Sequence, residues 1–593
     1  MLDTVNDDHT AVVSEWLSRF ESALTSVDAQ ALEMLFLPES YWRDVLALTW
    51  RFETVSGPTQ IAEALAANAR EAKPRNFEVD HGPGSPQNVI RVGQDVIEAF
   101  FKFETEIGSC EGIVRLTSEA NDGGTARAWT IFTGLDELKG HAERRGANRP
   151  TGQSHSRDFR GPNWLDQRDA AVAYSDRDPA VLIVGGGQAG LATAARLTQL
   201  GVDTLTIDKH ERIGDNWRKR YHALTLHNQV QVNHLPYMPF PDTWPTYIPK
   251  DKLANWFEAY VDALELNYWT STELVSGVYN DDDARWTAIL RRSDGSERTL
   301  RPQHIVMATG VSGIANRPDI PTLDQFKGRL VHSSEYQDGE DWTGKKAIII
   351  GTGNSGHDIA HDLTSSGAQV TLVQRNPTLV VNIEPSAQLP YALYDERSSL
   401  EACDLISTSM PMPLVRRAHQ NYTRQARDLD KPLLDRLEEI GFKLDFGKDD
   451  TGWQFKYLTR GGGYYFNVGC SDMLAEGKID LLQYDQIEAF TPTGAKLLDG
   501  QALDADLIVL STGYLPQERL VDRLFGEQVA RKVGAIWGFG DGEELRNMYC
   551  RTNQPGLWFI AGSLAQCRIN SKYLALQIKA CEEGIISKDF AHQ

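Results

Sequence analysis

Residues 180–214 read AVLIVGGGQAGLATAARLTQLGVDTLTIDKHERIG, and this stretch decides the fold class. Ala180–Val184 is a short apolar run, as expected for a strand buried on both faces of a parallel sheet. It passes directly into Gly185-x-Gly187-x-x-Gly190. In a strand–turn–helix unit the first glycine permits the tight turn and the second lets the backbone approach a pyrophosphate. The third lets the helix pack against the strand, and the pyrophosphate rests on the N–H groups of the helix N-terminus. The next strand, Thr204–Ile207, ends at Asp208. An acid at that distance from the turn accepts hydrogen bonds from ribose hydroxyls and repels a 2′-phosphate. The first site therefore suits FAD or NAD and not NADP.

A second copy lies at 345–377, KKAIIIGTGNSGHDIAHDLTSSGAQVTLVQRNP. Ala347–Ile350 is its strand, and Gly351-x-Gly353-Asn354-Ser355-Gly356 its turn. The following strand, Val370–Val373, ends at Gln374-Arg375, so an arginine stands where the first copy has an acid. A guanidinium at the ribose 2′ position attracts a 2′-phosphate bidentately, and the second site suits NADPH. The stretch from Gly185 to Gly351 leaves room for most of one nucleotide-binding domain before another is inserted. Ile305–Gly310 (IVMATG) and Leu507–Tyr514 (LIVLSTGY) read as apolar strands ending in Thr-Gly at chain crossovers. Gly556–Gly562 (GLWFIAG) reads as a returning strand before a helix carrying Tyr573, Leu576, Ile578 and Ala580. The expected fold is α/β, with two dinucleotide-binding (Rossmann-like) domains, the NADP domain inserted in the FAD domain, preceded by a small α+β domain. The expected boundaries are 1–140 for the α+β unit, 141–178 for a polar, turn-rich linker, 179–340 and 511–593 for the two parts of the FAD domain, and 341–510 for the NADPH domain.

In the first unit Val12, Val13, Trp16, Leu17, Phe20 and Leu24 recur at helical spacing, and Asp28 is an N-cap for a short helix running to Phe36. Leu46, Leu48, Trp50 and Phe52 alternate with Ala47, Thr49 and Arg51, which predicts a half-buried strand. Gly57-Pro58 opens a helix with Ile61 and Leu65, and strand-like runs follow at 76–80, 95–107, 111–118 and 125–133. This order resembles the ketosteroid-isomerase-like (SnoaL-like) cone. Asp44 is read as a surface or capping residue, with a general base inside the cone as the alternative.

Composition narrows the function classes. The chain has 593 residues, too many for one domain, with 41% hydrophobic and 24% charged residues, which is ordinary globular usage. Its net charge of −22 disfavours a nucleic-acid or anionic-membrane partner. Six scattered cysteines without a Cys-x-x-Cys pair argue against a disulfide framework, a zinc ribbon and a dithiol reductase, and no metal site is expected. The N-terminus carries no secretory pattern and no apolar run reaches spanning length, so a cytoplasmic setting is expected.

Between the two turns lies Phe326-x-Gly328-x-x-x-His332-x-x-x-Tyr336, the pattern by which residues 175–593 resemble the class B flavin-containing monooxygenases. The related Baeyer–Villiger enzymes end that pattern in Trp followed by Pro or Asp, whereas this chain has Tyr336-Gln337. Gly214-x-x-Trp217 resembles the family segment that approaches the flavin. Tyr221-x-x-Leu224-x-Leu226-His227 and Leu235–Pro241 are similar to the plant auxin-forming (YUCCA-type) branch, as is Tyr464–Gly469. The resemblance implies FAD and NADPH as cofactors, a C4a-(hydro)peroxyflavin as oxidant, and a small-molecule substrate with dioxygen as partners. It also implies a returning strand and helix against FAD around Gly562, and His332 as a hydrogen-bonded domain linker. Asn228 and His227 are both candidates for the hydrogen-bond donor at the flavin. A small aromatic substrate oxygenated at nitrogen, sulfur or a carbonyl carbon is expected. An aromatic 2-keto acid is a named candidate, with Arg416, Arg417 and Arg568 as guesses for its carboxylate anchor. Baeyer–Villiger oxygenation and a non-catalytic flavoprotein module are the alternatives. The insertion at 384–460, with Met410-Pro411-Met412 and Tyr422, is read as a lid or a helical surface insertion, and the N-terminal unit as a substrate mouth, a partner-binding module or a homodimer contact.

Overall fold

The computed structural model describes residues 2–82, 85–118, 126–150, 160–311, 313–396 and 398–588. The segment 151–159 of the expected linker lies outside the described residues.

The helix Leu2–Ser26 forms where the apolar spacing predicts it, and Asp28 caps Ala29–Glu33 by accepting from Ala31 N–H at 3.0 Å. These helices and Pro58–Ala72 contact a seven-stranded sheet ordered Phe52–Ser56, Phe36–Val45, Ala126–Leu138, Gly108–Ser118, Gln94–Glu104, Arg75–Val79, with Gln87–Arg91 also paired to Gln94–Glu104. Trp16 stacks on Phe20 at 4.9 Å and Phe77 on Phe103 at 4.7 Å, so aromatic side chains fill the space between helices and sheet.

The strand expected over Leu46–Phe52 is not formed. Phe36–Val45 is the strand, the chain turns through 46–51, and Phe52–Ser56 returns antiparallel with Val45 opposite Phe52. Leu46 and Trp50 take positive φ, which ends the extended run despite its apolar alternation. Asp44 holds this turn. Its buried carboxylate accepts from Leu48 N–H (3.2 Å), Thr49 N–H (2.9 Å), Thr49 Oγ1 (2.7 Å) and Thr133 Oγ1 (2.6 Å). Burial pushes its carboxyl up to about 6 against those hydrogen bonds. Asp44 is thus neither on the surface nor a free base: its oxygens are occupied in shaping the turn.

The first nucleotide-binding sheet is wholly parallel, in the order Tyr268–Trp269, Thr204–Ile207, Val181–Val184, His304–Met307, Leu557–Phe559. The C-terminal strand therefore returns to the sheet that Val181–Val184 began, and the helix Leu564–Glu582 packs on Gln188–Gln199. The second sheet is also parallel, in the order Arg329–His332, Leu507–Leu510, Lys346–Ile350, Gln369–Gln374, Asp480–Gln483. Arg329–His332 belongs to this second sheet, although the sequence boundary at 340 puts it in the first unit. Its partner Leu507–Leu510 lies far downstream, and such a pairing leaves no local signature.

The insertion is partly a helical surface feature, with one face of Met412–Glu439 exposed, and partly inward: Leu400–Ser409 contacts the strands Gly108–Ser118 and Ala126–Leu138, and Met412–Glu439 contacts Leu379–Asn382, Cys470–Ala475 and Gly452–Arg460. Arg115 of the N-terminal sheet donates to Ser409 Oγ at 2.8 Å. Arg43 makes a two-pronged ion pair with Glu544 (3.0 and 2.9 Å), and Lys572 of the last helix reaches Glu111 (2.8 Å) and Asp136 (2.6 Å). The N-terminal unit is therefore fastened to both the insertion and the C-terminal helix. No helix among the described residues is long and apolar enough to cross a membrane.

Candidate cofactor and oxygenation site

The two glycine turns repeat one backbone geometry. Gly185 and Gly351 have φ of +108° and +118°, and Gly187 and Gly353 cap their helices in extended conformation. A Cβ on Gly190 would lie 2.0 Å from the Gly185 carbonyl oxygen, and one on Gly356 would lie 1.9 Å from that of Gly351. The third glycine of each motif thus allows the helix to contact the strand. A Cβ on Gly187 would instead meet the side-chain end of Asn216 at 2.8 Å, and one on Gly353 nothing nearer than the Tyr464 carbonyl at 3.8 Å. Gly353 therefore faces open space and Gly187 only the movable end of one side chain, an approach that suits a pyrophosphate against the backbone.

Asp208 sits directly after its strand, Thr204–Ile207. Its Oδ2 accepts from Gly186 N–H at 2.8 Å, and its Oδ1 accepts from His210 N–H at 2.9 Å and lies 2.7 Å from His210 Nδ1. Burial opposes its ionisation, but these hydrogen bonds outweigh it and hold the carboxyl below its ordinary value. The acid thereby fastens the glycine turn. In the second unit Asn354 Oδ1 accepts from Phe466 N–H at 2.9 Å, tying that turn to the strand Tyr464–Asn467. Arg375 is exposed and has no ion pair among the described residues, so its guanidinium can meet a phosphate without first losing a protein partner.

One cavity of about 1710 Å³ joins the second glycine turn to Gln188, Trp217 and Gly562 of the first unit, while Gly185, Gly187, Gly190 and Asp208 do not line it. Its wall includes Gly351, Gly353, Asn354, Ser355, Gly356 and Arg375 at one side, and Trp217, His227, Asn228 and Gly562 at another. Gln188 knits the flavin side together. It accepts from Trp217 Nε1 at 3.3 Å and donates to the Gly562 carbonyl at 3.1 Å. The motif's spacing marks Gln188 only as a variable position, so nothing local singled it out. Gly562 has φ of +123°, and a Cβ there would meet Gln566 Oε1 at 2.5 Å, so the entry to the last helix requires glycine. His227 and Asn228 are neighbours on Thr225–Gln229. The His227 ring meets Phe466 edge-on at 5.3 Å, and burial, opposed by Asp358, holds the imidazole below its ordinary value and therefore neutral near pH 7. Asn228 Nδ2 donates to the Tyr391 hydroxyl at 3.3 Å.

The linking pattern has a structural basis at each position. The Phe326 ring folds back to within 2.4 Å of where a Gly328 Cβ would stand, so residue 328 must be glycine. His332 is fully buried: Nε2 lies 3.0 Å from the Gly513 carbonyl at the crossover and Nδ1 accepts from Ser334 N–H at 3.1 Å. Tyr336 donates to Asp362 at 2.7 Å.

The three arginines guessed as anchors are occupied elsewhere. Arg416 pairs with Glu543 at 2.7 Å and Arg417 with Glu39. Arg568 is buried, gripping Asp404 through two nitrogens at 2.8 and 2.7 Å and donating to the carbonyls of Val232 and His234. None of the three lines the cavity. The N-terminal unit lines it instead, with Arg43, Trp50, Phe52, Ile90, Arg91 and Val92.

Residues 182–399 match the family described as pyridine nucleotide-disulphide oxidoreductase, although all six cysteines here are free. The chain is 31% identical over 352 residues to indole-3-pyruvate monooxygenase YUCCA1 of Oryza sativa subsp. japonica, covering 59% of this chain and 80% of that protein. It is 33% identical over 343 residues to the probable indole-3-pyruvate monooxygenase YUCCA10 of Arabidopsis thaliana, covering 57% and 82%. The open crystal structure of a cyclohexanone monooxygenase shares the fold, with a TM-score of 0.51 at 17% identity, covering 69% of this chain and 88% of that one. With both nucleotide turns in place and about a third of the residues shared across four-fifths of those plant enzymes, the chain belongs to the flavin-containing monooxygenase family of FAD- and NADPH-dependent oxidoreductases.

Proposed function

We propose that the protein oxidatively decarboxylates an aromatic 2-keto acid. The keto acid, dioxygen, NADPH and a proton give the acid one carbon shorter, carbon dioxide, water and NADP+. The observation that carries this reading is the single cavity joining the Arg375 turn to Trp217, His227, Asn228 and Gly562. A reductant bound at the first and a flavin bound at the second would share one cavity with the substrate. The names of the two plant relatives support the keto-acid class.

FAD, reduced by NADPH, supplies the electron and oxygen chemistry when bound. The protein's part is to bind, orient and keep out water. Gly185, Gly187, Gly190 and Asp208 hold FAD, and Gly351, Gly353, Asn354, Ser355, Gly356 and Arg375 hold NADPH. The Gln188 bridge fixes the Trp217 indole beside the returning Gly562 turn. Asn228, oriented by Tyr391, and neutral His227 are the two hydrogen-bond donors facing the reacting region. Tyr391, Trp453 and Phe466 line the same cavity, an aromatic wall that excludes water from it. For the N-terminal unit we propose a SnoaL-like cone, supported by its three helices against one sheet. We place the start of the NADPH domain near 329.

The test is coupling. FAD-loaded protein is supplied with NADPH, oxygen and indole-3-pyruvate, and NADPH consumed is compared with indole-3-acetate and carbon dioxide formed. Near-equal amounts are expected. Hydrogen peroxide in place of both products, or turnover of amines or sulfides alone, would refute the reading.

A further inference from the structure

The cavity wall carries eight arginines and four carboxylates in a chain whose net charge is −22. Arg375 beside the second glycine turn is accounted for by a nucleotide. Arg91 is not: it comes from the N-terminal sheet. Its Nε and Nη2 are held by Glu98 at 2.9 and 2.6 Å, and Glu98 is fully buried. Glu98 also accepts from Arg115 Nε at 2.8 Å, and Arg115 is itself fully buried on Thr130 and Ser409. Two guanidinium groups thus share one carboxylate, and the cluster keeps an excess positive charge in a setting of low solvent access. Arg91 Nη1 has no protein partner among the described residues, and Arg91 lines the cavity.

The surroundings of Arg91 fit an anion with an apolar body. Tyr422 of the long insertion helix lies close enough for the Arg91 charge to act on its hydroxyl. Tyr422 also lines the cavity, and its hydroxyl has no partner among the described residues. Val92 packs with Met410 and Leu414, which holds the Gln87–Glu104 hairpin against the insertion. Tyr391, Trp453, His419 and Tyr422 all line the cavity that Arg91 shares with Asn228.

We propose that Arg91, with Tyr422, forms a carboxylate subsite supplied by the N-terminal unit, which anchors the acid end of the substrate. This rests on the reading above that the cavity holds an aromatic keto acid. A carboxylate placed there meets a guanidinium already oriented by Glu98, so little ordering is required on binding. Replacing Arg91 leaves Glu98 neutralised by Arg115, which makes the substitution tolerable to the fold.

The experiment is equilibrium binding of phenylpyruvate and of its neutral methyl ester to the FAD-loaded full chain, followed by calorimetry. In Arg91→Gln the Kd for phenylpyruvate is expected to rise about tenfold or more, the effect of losing a charge-assisted contact. Arg91→Lys should stay within about threefold of wild type, and the ester should bind wild type and Arg91→Gln alike. Should Arg91→Gln not fold, Tyr422→Phe removes the unpartnered hydroxyl of the same subsite and is expected to weaken phenylpyruvate binding in the same direction. Equal phenylpyruvate affinity in wild type and variant overturns the proposal. So does an equal loss for acid and ester, or no phenylpyruvate binding to wild type. Product formation is measured separately: wild type that binds phenylpyruvate through Arg91 yet releases no carbon dioxide refutes the reaction and leaves the subsite standing.

Discussion

The three glycines of the first turn have separable functions, and two alanine substitutions separate them. In Gly190→Ala the new Cβ lies 2.0 Å from the Gly185 carbonyl oxygen and 3.1 Å from its carbon, both backbone atoms. Ordinary contact begins at 3.4 Å, so helix Gln188–Gln199 must move off the strand by about 1 Å or more. Overpacking of this kind costs about 1–3 kcal/mol, offset by up to about 1 kcal/mol because alanine is the better helix former. In Gly187→Ala the Cβ meets only the end of the Asn216 side chain at 2.8 Å, and the backbone there is extended, which alanine adopts without strain. The expected cost to the flavin-free protein is within about 0.5 kcal/mol. Flavin binding should fall in both, because at position 187 the methyl enters the space the pyrophosphate needs. The assay pairs urea unfolding of the flavin-stripped proteins with flavin content after reconstitution. Gly187→Ala that keeps full flavin, or that destabilises the stripped protein as much as Gly190→Ala does, would refute the assignment.

Arg375→Ala removes an exposed guanidinium that has no protein partner among the described residues. The preference for NADPH over NADH should fall by one to two decades, corresponding to about 1.5–3 kcal/mol for a charge-assisted contact; kcat/KM for the two nucleotides measures it, and an unchanged ratio counts against the 2′-phosphate role. His357 is fully buried, stacked on Tyr465 at 3.9 Å, and burial pushes its imidazole down to about 4. The unfolded chain binds the proton first as pH falls, so stability is complete above about 6.5 and declines between about 6.5 and 4, by up to about 3 kcal/mol from this residue. His357→Phe should flatten that decline in thermal unfolding scans from pH 7 to 4, and an unaltered acid slope would exclude His357 as its source.

The parts of the site legible in the sequence are those built by a single strand–turn–helix–strand unit. Gly185, Gly190 and Asp208 fall within one such unit, and Gly351 and Arg375 within the next; in each, the turn allows one backbone path. The reading failed where a distant partner overruled a local pattern. Leu46–Phe52 alternates like a strand, but the Asp44 carboxylate, held by Thr133 from another strand, folds it into a turn. Arg568 looks like a surface charge until Asp404, far upstream in the insertion, takes both its nitrogens. The Gln188 bridge from Trp217 to Gly562 ties the first nucleotide turn to the C-terminal helix, and no motif records it.

Taken alone, the sequence determined the two strand–turn–helix units and the family, because the geometry of each glycine turn is set over a few bonds. The tertiary structure decided which side chains share a cavity. It brought Arg91 of the N-terminal sheet near Tyr422 and packed the insertion helix Leu400–Ser409 on that sheet. It also returned the C-terminal strand to the first sheet. Those contacts join residues far apart along the chain, and they form only because burying the apolar faces of the N-terminal sheet, the insertion helices and the last helix against one another is more favourable than leaving any of them in water.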